Sequence, residues 1–203
     1  MPAANDADGE LSPPLLARLC AKLGAGQVLA CPTETQMGLL ADATRGDAID
    51  QVCALKGRPD NAPLALLLPD RHGLELVSTG LASWALALAD AHWPGPLTLL
   101  VPAQPHLDPR LTKDGRVGVR VPGPSAALTL VRAFGGPLTA TSANLSGHAV
   151  VPDGAAAAQL FGEGIGGVVP GSVGGTLPST IVDVSGAAPQ LVRSGALRLE
   201  GLG

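Results

Sequence analysis

Two patterns of hydrophobic positions alternate along the chain. Runs of consecutive apolar residues, such as PLALLLP (63–69) and PLTLLVP (96–102), are separated by segments in which apolar residues recur every three or four positions. The first pattern is typical of strands covered on both faces, and the second of amphipathic helices. We therefore predict an α/β domain with a mixed, partly parallel sheet and helices on its faces.

Turn-forming residues set the bounds of the predicted elements. A helix is expected from Ser12, where Ser-Pro-Pro forms the cap and first turn, to Gly24. Further helices are expected from about residue 47 to 57, at 79–92 and at 124–135. Residues 1–11 are expected to be flexible and residues 12–203 to form a single domain. Strands are predicted in QVLACPT (27–33), PLALLLP, PLTLLVP, RVGVRVP (116–122), PLTATS (137–142), GGVVP (166–170), STIVDV (179–184) and QLVRSG (190–195).

The composition argues against broad binding to nucleic acids. Among 203 residues there are no tyrosines, two phenylalanines and two tryptophans, so few aromatic faces can stack on bases. The net charge of −4 gives the chain no general attraction to phosphate polymers. Any site for anions must therefore be local.

Three cysteines without a CxxC spacing and four scattered histidines show no pattern of metal ligands. They indicate a reduced, cytoplasmic protein with no protein-bound metal. The first ten residues, MPAANDADGE, are polar and acidic, unlike a signal peptide, and no apolar run reaches the length of a bilayer span. No membrane segment is expected.

Hydroxyls and a carboxylate follow the first predicted strand, in CPTETQMGL (31–39). Thr33, Glu34 and Thr35 would lie at an edge of the sheet, where open α/β sheets bind ligands. A turn stabilised by threonine hydroxyls would explain the same residues, and both interpretations stay open.

Two cations flank the end of the second helix, in LKGRPDNAPL (55–64). Pro59 prevents the helix from continuing through Arg58, so Lys56 and Arg58 are fixed one residue apart. Lys56 near the helix end could simply offset the helix dipole, a contribution of about 0.3–1 kcal/mol, with Arg58 in solvent. A guanidinium held between Gly and Pro could instead bind a phosphate or carboxylate with two hydrogen bonds.

Two strand segments differ in the role that they suggest. The Pro-Gly-Pro of WPGPLTLLVPA (93–103) is typical of a tight turn before a strand, which indicates a structural role. In RVGVRVP, Arg116, Gly118 and Arg120 share one face of a strand and valines occupy the other. Arginines in this position are either paired or free to meet a ligand.

The loop TATSANLSG (139–147) combines hydroxyls, an amide and a terminal glycine without any charge. Ser142, Asn144 and Ser146 alternate after a predicted strand, so the loop could form a neutral cradle for an anion. The sequence has no GxxxxGK[ST] phosphate loop, no GxSxG elbow and no evident Ser-His-Asp arrangement, which disfavours Ser142 as a nucleophile.

Ser179, Thr180 and Arg193 add polar groups near the end of the chain. This set suits an enzyme that binds a nucleotide and a small carboxylate and acts by positioning and charge stabilisation.

These segments, taken in order, resemble the YrdC-like family of L-threonylcarbamoyladenylate synthases from about residue 12 to 198. The segments that carry the resemblance are CPTETQMGL, LKGRPDNAPL, WPGPLTLLVPA, VGVRVP, PLTATSANLSG, PSTIVDV and LVRSGAL. The combination of KxR with a later SxN within TSANLSG is more specific than any single segment. The chain resembles the short form of the family, which has one domain.

The resemblance implies a twisted sheet with a large, positively lined concave cleft. It also implies a nucleotidyltransferase that makes threonylcarbamoyl-adenylate and pyrophosphate from ATP, bicarbonate and L-threonine, for modification of adenosine 37 in tRNA. Mg²⁺ is expected with ATP, and downstream proteins that transfer the threonylcarbamoyl group to tRNA are the expected partners. A weak direct contact with tRNA is also consistent with the resemblance.

The resemblance assigns roles to particular positions of this chain. Lys56, Arg58, Ser142 and Asn144 would handle the phosphates and the carbamate as the catalytic set. The nucleotide would be bound by Arg58, Ser142, Asn144 and Arg193, and L-threonine by Thr33, Thr35, Arg120 and Ser179.

Two alternatives to this function remain. One is an RNA-binding module of the same fold, with Arg58, Arg116, Arg120 and Arg193 lining the cleft. The other is a family enzyme for a different amino acid, because Met37 and Leu67 stand where the family often has an aromatic residue and, in some members, a histidine.

Overall fold

A computed structural model of the chain describes residues 11–57 and 62–200. The helices are α1 (Pro13–Gly24), α2 (Gly46–Lys56), α3 (Leu74–Val77), α4 (Ser83–His92), α5 (Ala126–Phe134) and α6 (Gly154–Phe161), with 3-10 turns at Arg71–Gly73, Pro109–Leu111 and Gly162–Gly164. The strands are β1 (Leu29–Pro32), β2 (Met37–Leu40), β3 (Ala65–Leu67), β4 (Leu97–Pro102), β5 (Thr112–Lys113), β6 (Arg116–Arg120), β7 (Leu138–Ser142), β8 (Gly167–Val168), β9 (Thr180–Asp183) and β10 (Gln190–Arg193). Of the segment expected to be flexible, residues 1–10 lie outside the described part.

Within the described residues the strands form one mixed sheet in the order β10-β9-β4-β6-β3-β7-β2-β1-β8, with β5 paired to β6. The pairs β1–β8, β3–β6 and β4–β9 are parallel and the other pairs are antiparallel. The predicted α/β fold with a partly parallel sheet is therefore confirmed. Its central strands are covered, as their continuous apolar runs require; Leu66, Leu99 and Val119 are fully buried.

The helix ends follow the local chemistry of the sequence. Proline at the first position begins α1, since its fixed backbone angle suits a helix and its missing N–H has no partner there in any case. Gly57 ends α2 in the left-handed conformation, with φ of 55°. The Ser125 hydroxyl caps α5 by accepting a hydrogen bond from Leu128 N. α1 packs on α5, and α5 and α6 contact β1.

Several elements differ from the sequence-based expectation. The predicted helix at 79–92 begins only at Ser83, and the short helix α3 precedes it. Strand β2 was not predicted, because MGLL is short and follows a polar turn directly. Helix α6 was also missed, although Asp153 caps it by accepting a hydrogen bond from Ala156 N at 2.8 Å. None of the helices in the described part of the chain is both long and apolar enough to cross a bilayer.

Candidate functional site

A cavity of about 270 Å³ opens where the turn between β1 and β2 meets strands β4, β6 and β7 and the segment before β9. The sheet order creates this meeting point, because β6 lies between β3 and β4, and β7 lies between β3 and β2. Residues that are far apart in sequence are thereby brought to one place. The predicted site residues that line the cavity are Thr33, Thr35, Arg120, Ser142, Ser179 and Arg193.

Thr33 organises the turn between β1 and β2. Its hydroxyl donates to Gln36 O at 2.7 Å and accepts from the backbone N–H groups of Thr35 and Gln36, each at 3.1 Å. The hydroxyl oxygens of Thr33 and Thr35 lie 2.8 Å apart. The turn interpretation of this segment is thus correct for Thr33, and the same turn brings both threonines to the cavity wall.

Arg120 is a buried cation at the end of β6, with 7% of its surface exposed. Its Nη1 donates to Glu34 Oε1 at 2.7 Å and to Thr35 Oγ1 at 3.1 Å. Burial lowers the pKa of Arg120, Glu34 opposes this effect, and the nearby charge of Arg193 adds to it. Arginine keeps its proton far above neutral pH, so the cavity wall carries a positive charge here.

Arg193 supplies a second cation from β10. Its Nε and Nη2 donate to Ser179 O at 3.2 and 2.8 Å, and Nη2 also donates to Ser179 Oγ at 3.2 Å. Burial lowers the pKa of Arg193. Among residues 11–57 and 62–200, no carboxylate lies within ion-pair distance of it. Its charge is therefore available to an anion in the cavity.

Lys56, at the end of α2, is 2% exposed and holds the TATSANLSG loop. Its Nζ donates to Ser142 O, to Asn144 O at 2.9 Å and to Asn144 Oδ1 at 2.7 Å. Ser142 Oγ donates to Asn144 Oδ1 at 2.7 Å, and Asn144 Nδ2 donates to His148 O at 2.6 Å. Lys56 and Asn144 thereby fix the backbone around Ser142, and Ser142 is the member of the three that lines the cavity.

The two other arginines named from the sequence are placed differently. Arg116 does not line the cavity and forms ion pairs with Asp183 and, at 3.1 Å, with Asp114. Of the two interpretations of RVGVRVP, ion pairing therefore applies to Arg116. Arg58 lies outside the described residues.

Sequence reasoning missed a buried threonine of the cavity wall. Thr98 on β4 lines the cavity, and its Oγ1 lies 2.8 Å from Ser179 Oγ. The segment that contains it, WPGPLTLLVPA, was expected to be structural. A polar residue within the apolar run PLTLLVP was the available signal, because a hydroxyl in a covered strand needs a partner.

One part of the cavity wall is apolar. It is formed by Met37 and Leu40 of β2, Ala65 and Leu67 of β3, and Ala140 of β7. The cavity therefore joins two cations and several hydroxyls to an apolar surface, a combination that can hold an anion attached to a small apolar group.

Comparison with known proteins gives one matching family and several relatives. The Sua5/YciO/YrdC family model, described as "Telomere recombination", matches residues 21–195. The threonylcarbamoyl-AMP synthase of Bacillus subtilis is 36% identical over 200 residues, which cover 96% of this chain and 58% of that protein. The threonylcarbamoyl-AMP synthase of Halorhodospira halophila is 39% identical over 158 residues, covering 76% of this chain and 82% of that protein.

The fold is also similar to that of a solved structure, P. abyssi Sua5 complexed with L-threonine. The TM-score is 0.86 at 31% identity, and the match covers 92% of this chain and 55% of that chain. This chain thus spans little more than half the length of the B. subtilis and P. abyssi proteins.

Proposed function

Because the chain belongs to the Sua5/YciO/YrdC family, we propose that it is an L-threonylcarbamoyladenylate synthase. The reaction joins L-threonine, CO₂ or bicarbonate, and ATP into threonylcarbamoyl-AMP and releases pyrophosphate. The chain is therefore an enzyme of the nucleotidyltransferase type. Its product is the activated donor for the modification of adenosine 37 in tRNA.

The observation that carries this proposal is the pair of arginines in one hydroxyl-lined cavity. Arg120 and Arg193 both line the wall, together with Thr33, Thr35 and Ser179. Such a set suits the carboxylate of an amino acid, since a guanidinium can bind both carboxylate oxygens. The apolar wall then lies within the same small cavity, where it can receive the side-chain methyl group of threonine.

The phosphates of ATP would bind beside Ser142. This residue is held by Lys56 and Asn144 through their hydrogen bonds. A hydroxyl with fixed position and backbone N–H groups can cradle phosphate oxygens without charge. The family resemblance also assigns Lys56 and Arg58 to the phosphates of ATP.

The chemistry needs positioning rather than a covalent intermediate with the protein. The ammonium group of L-threonine loses one proton to solvent, the amine adds to CO₂, and a second proton then leaves the nitrogen to give a carbamate. A carbamate oxygen then bonds to the α-phosphorus of ATP, and the bond from this phosphorus to pyrophosphate breaks. Arg120 and Arg193 would hold the reactants in line and reduce the repulsion between the two anions.

Mg²⁺ is proposed to enter with ATP. Within the described residues there is no group of three His, Cys, Asp or Glu side chains that could hold a metal ion, and Glu34 is engaged by Arg120. An ion carried by the nucleotide needs no cluster of protein carboxylates, and the Ser142 hydroxyl would be the protein oxygen nearest to it. Mg²⁺ bound with the nucleotide would partly neutralise the charge of the phosphates.

The proposal extends to partners and location. The intermediate would pass to proteins that transfer the threonylcarbamoyl group to tRNA, with at most a weak direct contact between tRNA and this chain. We place the enzyme in the cytoplasm, where its substrates occur, and its three cysteines are free.

A second candidate is an enzyme of the same family that acts on a different amino acid. Met37 and Leu67, two of the positions at which the chain departs from the family pattern, both line the cavity. A difference of one methyl group in an apolar pocket changes selectivity by roughly 10- to 200-fold. The preference for L-threonine over L-serine and L-valine therefore separates the two candidates.

The test is release of pyrophosphate from ATP in the presence of Mg²⁺ and bicarbonate. We expect release with L-threonine, much less with L-serine, and none without bicarbonate. Arg193→Ala should abolish release, whereas Arg132→Ala, at an exposed arginine of α5, should not. No release from the wild-type protein would contradict the proposal, and release with another amino acid alone would favour the second candidate.

A further inference from the structure

Thr98 and Ser179 form a hydroxyl pair in the wall of the cavity. Their oxygens lie 2.8 Å apart, although the residues are 81 positions apart in sequence. Thr98 is 5% exposed and Ser179 is 9% exposed, and both line the cavity. The parallel pairing of β4 with β9, with Leu97 opposite Thr180, sets this approach.

The pair has one hydrogen more than its protein partners can accept. Two hydroxyl groups carry two hydrogens, and their mutual bond uses one. Ser179 Oγ also accepts a hydrogen bond from Arg193 Nη2 at 3.2 Å. If Thr98 donates to Ser179, the Ser179 hydrogen is left without an acceptor among the described residues. If Ser179 donates to Thr98, the same is true of the Thr98 hydrogen.

In both arrangements a hydroxyl hydrogen must be accepted by something inside the cavity, because buried polar groups rarely go without a partner. Arg193 contacts this pair directly and Arg120 lies close enough for its pKa to be affected by Arg193. Arg120 is paired with Glu34, but no carboxylate among the described residues pairs with Arg193, and its charge favours an anionic oxygen as the acceptor.

We propose that Thr98 is a further residue of the amino-acid site, and that the Thr98–Ser179 pair donates one hydrogen bond to the carboxylate of bound L-threonine. This inference rests on the proposed function. Thr98 and Arg193 both hydrogen-bond to the Ser179 hydroxyl and fix its position. The pair then adds a neutral donor to the charge of the two arginines.

The experiment compares Thr98→Val, which has the same shape but no hydroxyl, with Thr98→Ser, which keeps the hydroxyl. Thr98→Val should raise the KM for L-threonine about tenfold, the usual effect of losing one hydrogen bond to a charged group. The KM for ATP should stay unchanged, and Thr98→Ser should retain most of the affinity for L-threonine. L-threoninamide, which lacks the carboxylate, should bind to Thr98→Val and to the wild type equally.

Ser78→Ala is the matched control, because Ser78 is a buried hydroxyl residue outside the cavity wall whose oxygen accepts from Gly80 N at 3.3 Å. It should lower Tm without changing the KM for L-threonine. Should Thr98→Val fail to fold, Thr98→Ala removes the same hydroxyl. Adding either substitution to Ser179→Ala should raise the KM little further.

The possible outcomes separate the inference from the function on which it rests. If the wild type releases pyrophosphate with L-threonine but Thr98→Val leaves its KM unchanged, the inference is wrong and the proposed function stands. Independent, multiplying effects of the two substitutions would also overturn the inference. If the wild type shows no release that depends on L-threonine, the proposed function fails and the inference fails with it.

Discussion

Glu34 and Arg120 form an ion pair with 2.7 Å between Oε1 and Nη1, and their side chains are only 13% and 9% exposed. The pair joins the turn after β1 to the end of β6. Arg120 Nη1 also donates to Thr35, so the same nitrogen fixes the turn that carries both threonines of the site. The other carboxylate oxygen, Glu34 Oε2, has no hydrogen-bond partner among the described residues. Glu34 therefore binds Arg120 through one carboxylate oxygen only, and this hydrogen bond orients the guanidinium.

Removal of the negative charge from this pair should affect both stability and substrate binding. Glu34→Gln keeps the shape of the side chain but leaves Arg120 as an uncompensated buried cation. Loss of one partner from a buried pair costs about 3–5 kcal/mol, so unfolding in urea should show a large decrease in stability. The KM for L-threonine should also rise, since Arg120 loses its fixed orientation. Glu75→Gln, at an exposed glutamate of α3, is the control and should change neither quantity.

Replacement of Lys56 should loosen the loop around Ser142. Lys56→Met keeps the length of the side chain but removes the donors to Ser142 O and to both oxygens of Asn144. Buried acceptors left without partners cost about 1–3 kcal/mol each. We expect a lower Tm and a loss of kcat of more than about tenfold. Lys113→Met, at an exposed lysine of β5, should match the wild type; a Lys56→Met protein with full activity would contradict the role of this lysine.

Within the same loop, Asn144 should matter more than Ser142. Asn144 Oδ1 accepts from both Lys56 and Ser142, and its Nδ2 donates to His148 O. Asn144→Ala therefore removes three hydrogen bonds, whereas Ser142→Ala removes one. Both variants should raise the KM for ATP, and Asn144→Ala should also lower Tm. Unchanged catalysis in both folded variants would exclude the loop as a cradle for phosphate and carbamate.

The sequence predicted the sheet better than it predicted the contacts inside the site. Apolar runs such as PLTLLVP and STIVDV indicate covered strands directly, and glycines mark the ends of α1 and α2. The pairing of Glu34 with Arg120, and of Thr98 with Ser179, depends instead on which strands are neighbours. The strand order β9-β4-β6-β3-β7-β2 contains crossovers that no local pattern specifies. Local patterns named the candidate residues, and the family resemblance, which reflects the whole fold and not one segment, assigned their roles.

Acid should weaken the loop that precedes β5. The hydrogen bond from Arg110 holds the pKa of Asp108 below its ordinary value, against the opposing effect of burial. A carboxyl whose pKa is lowered by folding stabilises the native state above its unfolded pKa of about 4, and this stability is lost as the pH falls below that value. Asp108→Asn should therefore be less stable than the wild type in urea at pH 7. The difference should shrink at about pH 3; a difference that is constant with pH would show that the charge of Asp108 is not involved.

Gly195 allows the segment after β10 to pack closely against Ser179. A Cβ atom at this position would overlap Pro178 O and lie 2.6 Å from Ser179 O, distances that side chains do not tolerate. Ala196 N donates to Pro178 O at 2.8 Å, so the segment cannot shift without losing this bond. Gly195→Ala should therefore displace Ser179 and raise the KM for L-threonine more than the KM for ATP. Gly186→Ala is the matched control, because a Cβ there would contact nothing within 4 Å. Equal kinetics for the two variants would mean that the position of Ser179 does not depend on Gly195.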